Sequence, residues 1–303
     1  MGPVAPGRAF HAYVSVDLVQ SPALTDQLLA AYLARAHTLL EGPPGVGKTT
    51  LARGLGDLAH GMGRIQMTPD MSPSDILGYE VLKDGALEFK KGPVFHSVLL
   101  VDEINRATPR TQSALLEAME EKAVSAGDER FPLPEDFFLI ATQNPYDLDG
   151  TYLLPHSQLD RFGLTLRVPA PRGADLEAVL AQKLTGATAT AAKPDLDFPA
   201  LRAAAQRLEV HQDWRRVAAG LQEFLAEPGN AERHGARPLS PRAWITWFNL
   251  GRSLSVVRGL DRVSTSCLRE LLGPVFQHRF EPFRSAGLSA LLEKRFDALL
   301  GQG

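Results

Sequence analysis

Residues 42–49 read Gly42-Pro43-Pro44-Gly45-Val46-Gly47-Lys48-Thr49 and satisfy every fixed position of G-x-x-x-x-G-K-[ST]. The pattern has a physical rationale. Its glycines let the backbone turn tightly and aim successive N–H groups at phosphate oxygens, and Gly47 permits close approach where a helix starts. The N-terminal end of that helix adds unpaired N–H groups and partial positive charge. Lys48 contributes a full charge for β and γ phosphates, and the Thr49 hydroxyl is a ligand for Mg²⁺. A Gly/Pro-rich surface turn would match by chance only rarely. Here the match also lies between a short apolar run, His37–Glu41, and a helix-spaced segment, Thr49–His60, as the mechanism requires. The expected nucleotide-binding set is Gly42, Pro43, Pro44, Gly45, Val46, Gly47, Lys48, Thr49 and Thr50.

Downstream, Val98-Leu99-Leu100-Val101-Asp102-Glu103 is an apolar strand ending in two carboxylates. Ligands of α/β sheets bind at the carboxyl ends of strands. Asp102 is therefore expected to hold Mg²⁺ together with Thr49, and Glu103 to polarise the attacking water. Two solvated acids would be the reading without the loop upstream. A third apolar run, Phe137–Thr142, leads into Ala141-Thr142-Gln143-Asn144-Pro145, where Asn144 is placed to touch the γ-phosphate or the water; the alternative is an Asn-Pro turn. In Leu159-Asp160-Arg161-Phe162-Gly163, Arg161 is the candidate arginine finger, to be supplied to a neighbouring subunit. The alternative is a salt bridge to Asp160 or another nearby acid, and Arg106 and Arg110 compete for the role. Ser240-Pro241-Arg242 reads as a helix start with Ser240 as N-cap and Pro241 at N1. Arg242 in the first turn opposes the helix dipole, which fits an external anion such as a γ-phosphate in a cleft between domains; a solvated arginine is the alternative.

These segments alternate. Ala23–Arg35 has helical spacing, Thr108 with Pro109 opens a helix running through Glu121, and Leu164–Val168 is a further strand. Strand and helix in alternation predict an α/β fold with a parallel, doubly wound sheet. Beyond Pro169–Pro171 only helical periods remain: Asp175–Leu184, Pro199–Leu208, Asp213–Leu225, Pro241–Val257, Ser264–Leu272 and Leu288–Leu300. The expected division is a nucleotide-binding core over 1–168 and a small all-helical lid domain over 169–303, with loops at Thr185–Lys193 and Glu227–Arg237.

The 303 residues are 44% hydrophobic and 22% charged, with a net charge of −3, so no global basic field draws the chain to nucleic acid or anionic lipid. A single cysteine, Cys267, excludes an intrachain disulfide or a cysteine-built zinc site. No secretory h-region opens the chain and no apolar run approaches the roughly 20 residues of a spanning helix. A cytoplasmic location is expected. A nucleic-acid motor or loader is the competing class, for which Lys83, Lys90, Lys91 and Lys122 would form a local basic ring. A nucleotide-gated scaffold with little turnover is a third.

With these residues assembled, the chain resembles the MoxR group of AAA+ ATPases. The densest match includes Thr68-Pro69-Asp70 with Pro73-Ser74-Asp75-Ile76, then Asp102-Glu103-Ile104-Asn105-Arg106-Ala107 and Thr111 through Met119. It continues through Ala141–Pro145, Gly150-Thr151-Tyr152 and Gln158–Phe162, with weaker similarity at Ser240–Ala243 and Pro274–Arg279. The resemblance covers most of the chain, from about Leu39 to Phe280. It implies a P-loop AAA+ core with a helical lid and a hexameric ring, with ATP and Mg²⁺ bound between core, lid and neighbour. Asn144 then corresponds to sensor 1, Arg161 to the finger and Arg242 to sensor 2. Such proteins are chaperone-like: they remodel or activate a protein client, often with a von Willebrand factor A domain partner, and some assist metal or cofactor insertion. Pro69–Gly92 looks like an inserted hairpin and Val124–Pro134 like the hairpin before sensor 1; in related rings these line one face or the pore. Leu239 and His156 stand where relatives usually carry a small residue and Glu, and the polar stretch Glu227–Arg237 is additional.

Overall fold

A computed structural model describes residues 4–15, 20–59, 61–147, 150–185, 191–280 and 287–301. Two helices come first, α1 (Pro6–Val14) and α2 (Pro22–Ala34). The sequence reading leaves α1 unassigned, because its nine residues offer only Phe10 and Val14 as large buried anchors. In α2, Ser21 caps the first turn by accepting from the Leu24 N–H, and Arg35 closes the helix in the left-handed conformation. There follow β1 (Thr38–Glu41), α3 (Lys48–Leu58), β2 (Met62–Gln66), α4 (Pro73–Leu77) and an antiparallel hairpin of β3 (Gly78–Lys83) and β4 (Ala86–Lys91). Next are β5 (Val98–Asp102), α5 (Pro109–Glu121), a second hairpin of β6 (Ala123–Ala126) and β7 (Glu129–Pro132), then β8 (Phe138–Gln143), α6 (His156–Leu159) and β9 (Leu164–Arg167). His60, the last residue of the helix expected from Thr49, lies outside the described residues.

Five of these strands form the expected sheet, in the order β2-β5-β8-β1-β9 and parallel throughout. Val98, Leu99, Leu100 and Val101 of β5 and Leu139 and Ile140 of β8 are fully buried, as central strands covered on both faces must be. The registers Gln66↔Asp102, Val101↔Ala141 and Glu41↔Gln143 bring the carboxyl ends of four strands to one edge. Strand β2 is not visible in the sequence: Met62-Gly63-Arg64-Ile65-Gln66 has little apolar content because it is an edge strand. Its Gly63 is required by packing, since a Cβ there would lie 2.7 Å from His96 Nδ1 and 3.1 Å from Pro93 O.

Past β9 the described residues form helices only: α7 (Ala174–Thr185), α8 (Phe198–Arg207), α9 (Gln212–Ala226), α10 (Pro228–His234), α11 (Pro241–Val257), α12 (Thr265–Glu270), α13 (Leu272–Phe276) and α14 (Leu288–Leu299). Two expectations are corrected. The stretch Glu227–Arg237 is not a loop throughout but contains α10, whose Asn230 side chain donates to Phe224 O at 2.8 Å and folds it back on α9. The single helix expected over Ser264–Leu272 is two segments, because Pro274 has no N–H to offer Glu270 and its ring opposes continuation past that residue. The expected loop Thr185–Lys193 falls, at 186–190, outside the described residues. One apolar cluster runs from α1 and α2 over one face of the sheet into the C-terminal helices, and α2 packs directly on α11. A second cluster covers the opposite face with Leu39, Leu99, Val101, Leu115, Leu116 and Phe162.

Candidate active site

Strand β1 ends at Glu41 and the chain turns at once into the glycine-rich loop. Gly42 donates to Gln143 O at 3.3 Å, and a Cβ on it would sit 2.2 Å from Val168 O, so only glycine fits between the neighbouring strand ends. Gly45 and Gly47 take φ of 78° and 91°, the left-handed region that favours glycine. Val46 is buried and anchors the loop in the core. The Leu51 N–H bonds back to Gly47 O at 2.9 Å as the helix begins. The N–H groups of Lys48, Thr49 and Thr50 precede it in the first turn, free of intrahelical partners and available to an anion. With the two left-handed glycines these groups make a nest of backbone donors suited to an anion such as phosphate.

The charged groups converge on the same edge. Lys48 Nζ donates to Gly42 O and Pro43 O, each at 2.7 Å. Burial pulls the Lys48 pKa down, and the facing carboxylates of Asp102 and Glu103 oppose that pull. Asp102 is buried; its Oδ1 accepts from Thr49 Oγ1 and Thr142 Oγ1, both at 3.2 Å, and its Oδ2 accepts from Arg64 Nε at 2.8 Å. A hydroxyl and a carboxylate 3.2 Å apart are hard oxygen donors of the kind that would hold Mg²⁺. No cluster of three or more His, Cys, Asp or Glu able to hold a metal occurs among the described residues.

Glu103 adopts φ 55°, a strained conformation for a non-glycine residue. Its N–H donates to Thr142 Oγ1 at 3.0 Å, and its Oε2 accepts from Gln66 Nε2 at 2.9 Å and Arg106 Nε at 2.7 Å. Arg106 also reaches Asp147 Oδ2 at 2.9 Å. Arg106 is thus tied into its own chain's acid site. Asn144 lies at the same edge; its Oδ1 accepts from the Tyr146 N–H at 3.2 Å, which makes the turn foreseen as its alternative role and leaves its amide nitrogen as a donor.

Arg161 and Arg242 are not in this group. The Gly163 N–H bonds to His37 O at 2.8 Å, just before β1 begins, so Arg161 stands at the amino edge of the sheet. Its Nε meets Glu120 Oε2 at 2.9 Å. The Asp160 carboxylate, the other partner considered, is taken by the buried Arg279 at 2.8 Å. Arg242 Nη2 meets the same Glu120 through Oε1 at 2.8 Å. Glu120 sits at the end of α5, which starts beside the acid pair and runs back about 16 Å along its axis. Both arginines are therefore at the opposite end of the sheet from the phosphate nest of their own chain. Ser240 occupies the N-cap position of α11, but its hydroxyl caps nothing: Oγ is buried without a partner. Arg110 is exposed and lines a cleft of about 420 Å³ between the two hairpins.

Several contributing residues are invisible to sequence reading. Arg64 and Gln66 lie on the unforeseen edge strand, Thr142 is one member of a string read for its neighbour, and Glu120 and Arg279 act across more than 40 residues of chain. Only Thr142 carries a signal, as a hydroxyl at the end of an apolar strand beside the acids.

Residues 37–164 match the family described as ATPase family associated with various cellular activities (AAA). Chaperone MoxR1 of Mycobacterium tuberculosis is 37% identical over 276 residues, spanning 86% of this chain and 72% of its own. Protein MoxR of Paracoccus denitrificans is 30% identical over 300 residues, 89% of this chain and 88% of its own. A crystal structure of a candidate ATPase from Cytophaga hutchinsonii superposes with a TM-score of 0.80 at 26% identity, covering 98% of this chain and 94% of that one.

Proposed function

The chain belongs to the MoxR family of AAA+ ATPases, and from that premise we propose that it works as a closed ring, hydrolysing Mg²⁺-ATP between subunits to remodel or activate a protein client. One observation carries this reading: the nest and acid pair lie at one end of the sheet and two arginines at the other. A surface with complementary halves on opposite ends associates head to tail, and head-to-tail contacts that close make rings. A hexamer is the size the family resemblance implies.

In this reading the N–H groups of residues 45–50 and Lys48 hold the β and γ phosphates. Thr49 and Asp102 hold Mg²⁺, which when bound neutralises phosphate charge. Glu103, released from Gln66 and Arg106, orients the attacking water and accepts its proton. The Asn144 amide donates to the γ-phosphate or the water. Arg161 and Arg242 place positive charge on the triphosphate of the adjacent subunit, where the transferring group needs it. A partner with a von Willebrand factor A domain and a cytoplasmic location complete the proposal; no helix of the described residues is long and apolar enough to cross a membrane. The two hairpins are the proposed working surface, with Leu82 and Leu87 paired and exposed at the tip of the first.

Three of the four lysines considered for a nucleic-acid ring have partners of their own. Lys83 pairs with Glu88 at 3.1 Å, and Lys90 and Lys91 lie over the rings of Tyr79 and Phe95. The test is steady-state phosphate release together with particle mass in the presence of ATP. The expectation is a multi-subunit particle with Mg²⁺-dependent release that Glu103→Gln almost abolishes. Full-rate release by a monomer contradicts the proposal.

A further inference from the structure

The Glu120 carboxylate, on the last turn of α5, holds two guanidinium groups from separate parts of the chain, one on each oxygen, at 2.9 Å (Arg161) and 2.8 Å (Arg242). We infer that Glu120 is a positioning residue that couples Arg161 and Arg242, so that the two act as one unit on the triphosphate of the adjacent subunit. The inference rests on the proposal that these arginines work in trans.

Stability does not explain the clasp. The three side chains are partly exposed, 35% for Glu120, 29% for Arg161 and 57% for Arg242, and ion pairs of that exposure add little to folding. What the clasp does is remove the freedom of two long side chains whose heads would otherwise wander. Its two ends differ. The segment carrying Arg161 is pinned from behind: buried Arg279 binds Asp160 Oδ1 at 2.8 Å and Phe162 O at 2.9 Å, on either side of Arg161. Arg242 stands on the first turn of α11, a helix of the C-terminal segment. Through Glu120, the position of the Arg161 head depends on where that segment sits.

Charge points the same way. Arg161, Arg242 and Arg279 gather here against Glu120 and Asp160, and Glu121, the next acid along α5, is taken by Arg130 at 3.0 Å. The cluster keeps one positive charge that these partners do not neutralise. Arg242 is near enough to Arg279 to lower the latter's pKa, behind the larger effect of burial and against the pull of Asp160. An external anion is the natural complement.

Mixed rings provide the test. Glu103→Gln subunits are the silent component: they bind ATP and assemble, so phosphate release reports the wild-type sites alone. Wild-type protein is mixed with a large excess of Glu103→Gln, of Glu103→Gln/Glu120→Ala, or of Glu103→Gln/Arg161→Ala, with ring mass confirmed in each mixture. Adding Glu120→Ala to the silent subunit is expected to lower release by wild-type sites on the order of tenfold, less than loss of an arginine finger does. Glu120→Gln, which can accept from only one arginine, behaves similarly, while Glu120→Asp recovers part of the rate. On an Arg161→Ala/Arg242→Ala background, Glu120→Ala adds no further loss. If Arg161→Ala lowers release and Glu120→Ala leaves it unchanged or raises it, the coupling is wrong and the trans reading stands. If neither variant acts on the wild-type sites, the trans reading falls and the inference with it.

Discussion

In the proposed mechanism Glu103 and Lys48 face one nucleotide with separable duties, and their substitutions should separate accordingly. Lys48→Ala removes the charge on the phosphates and is expected to abolish nucleotide binding; Glu103→Gln keeps the shape and is expected to retain ATP while hydrolysis nearly stops. Filter binding beside phosphate release distinguishes them, and Glu103→Gln turning over at the parent rate would remove Glu103 from its role. Thr142→Val keeps volume but takes one donor from buried Asp102 and the acceptor from the Glu103 N–H. A cost of about 1–3 kcal/mol in stability is expected, with a fall in kcat. His37 gives a pH prediction. It is half-buried, its Nδ1 accepts from the Leu139 N–H at 3.0 Å, and desolvation pushes its pKa from 6.5 to about 4. Between those values the unfolded chain binds a proton that the folded chain refuses, so this contribution is intact above pH 6.5 and lost as pH falls towards 4. About 3 kcal/mol is at stake, and half-buried His278 shifts in the same direction. Urea midpoints for wild type and His37→Gln at pH 7 and pH 5 should diverge; equal acid sensitivity would exclude His37 as the cause. At this scale the nest and acid pair were legible because each is contiguous in sequence. Gln66, Thr142 and Glu120 were not, because their roles exist only as contacts between distant segments.

Elements were legible in proportion to how much of their own signal they carry. Central strands buried on both faces show as apolar runs, and α11 shows through Pro241 at its start and Trp247, Leu250, Leu254 and Val257 on its buried side. The edge strand β2, the short α1 and the helix α10 lack such signals and take their form from what they pack against. Pro274 is visible in the sequence, and the break it imposes on the helix before it follows from its missing N–H and its ring. Trp247 tests the packing claim. It is fully buried, meets the rings of Trp244, Phe248, Phe276 and Phe296, and donates through Nε1 to Leu268 O at 2.9 Å. Trp247→Ala should cost about 3–5 kcal/mol, read from denaturant midpoints; a change under about 1 kcal/mol would mean that the helical segment contributes little to the cooperative core.

For the whole molecule, the sheet separates two half-sites. Its carboxyl edge carries the nest, Asp102 and Glu103, and its amino edge carries Arg161 with Arg242. The fold class followed from the alternation of strands and helices. The meeting of the two arginines did not, because it depends on how the C-terminal helices pack against α5, which no local pattern encodes. One chain holds the two groups at opposite ends of its sheet, so the proposed site needs a neighbour. Mixing Arg161→Ala subunits with Glu103→Gln subunits, each nearly inactive alone, with phosphate release as the readout, measures that requirement directly. The account predicts that the mixture regains release, because the intact Glu103 of an Arg161→Ala subunit meets the intact Arg161 of its Glu103→Gln neighbour. A mixture no more active than its components, with mixed rings confirmed by capture through a tag on one of them, would contradict it.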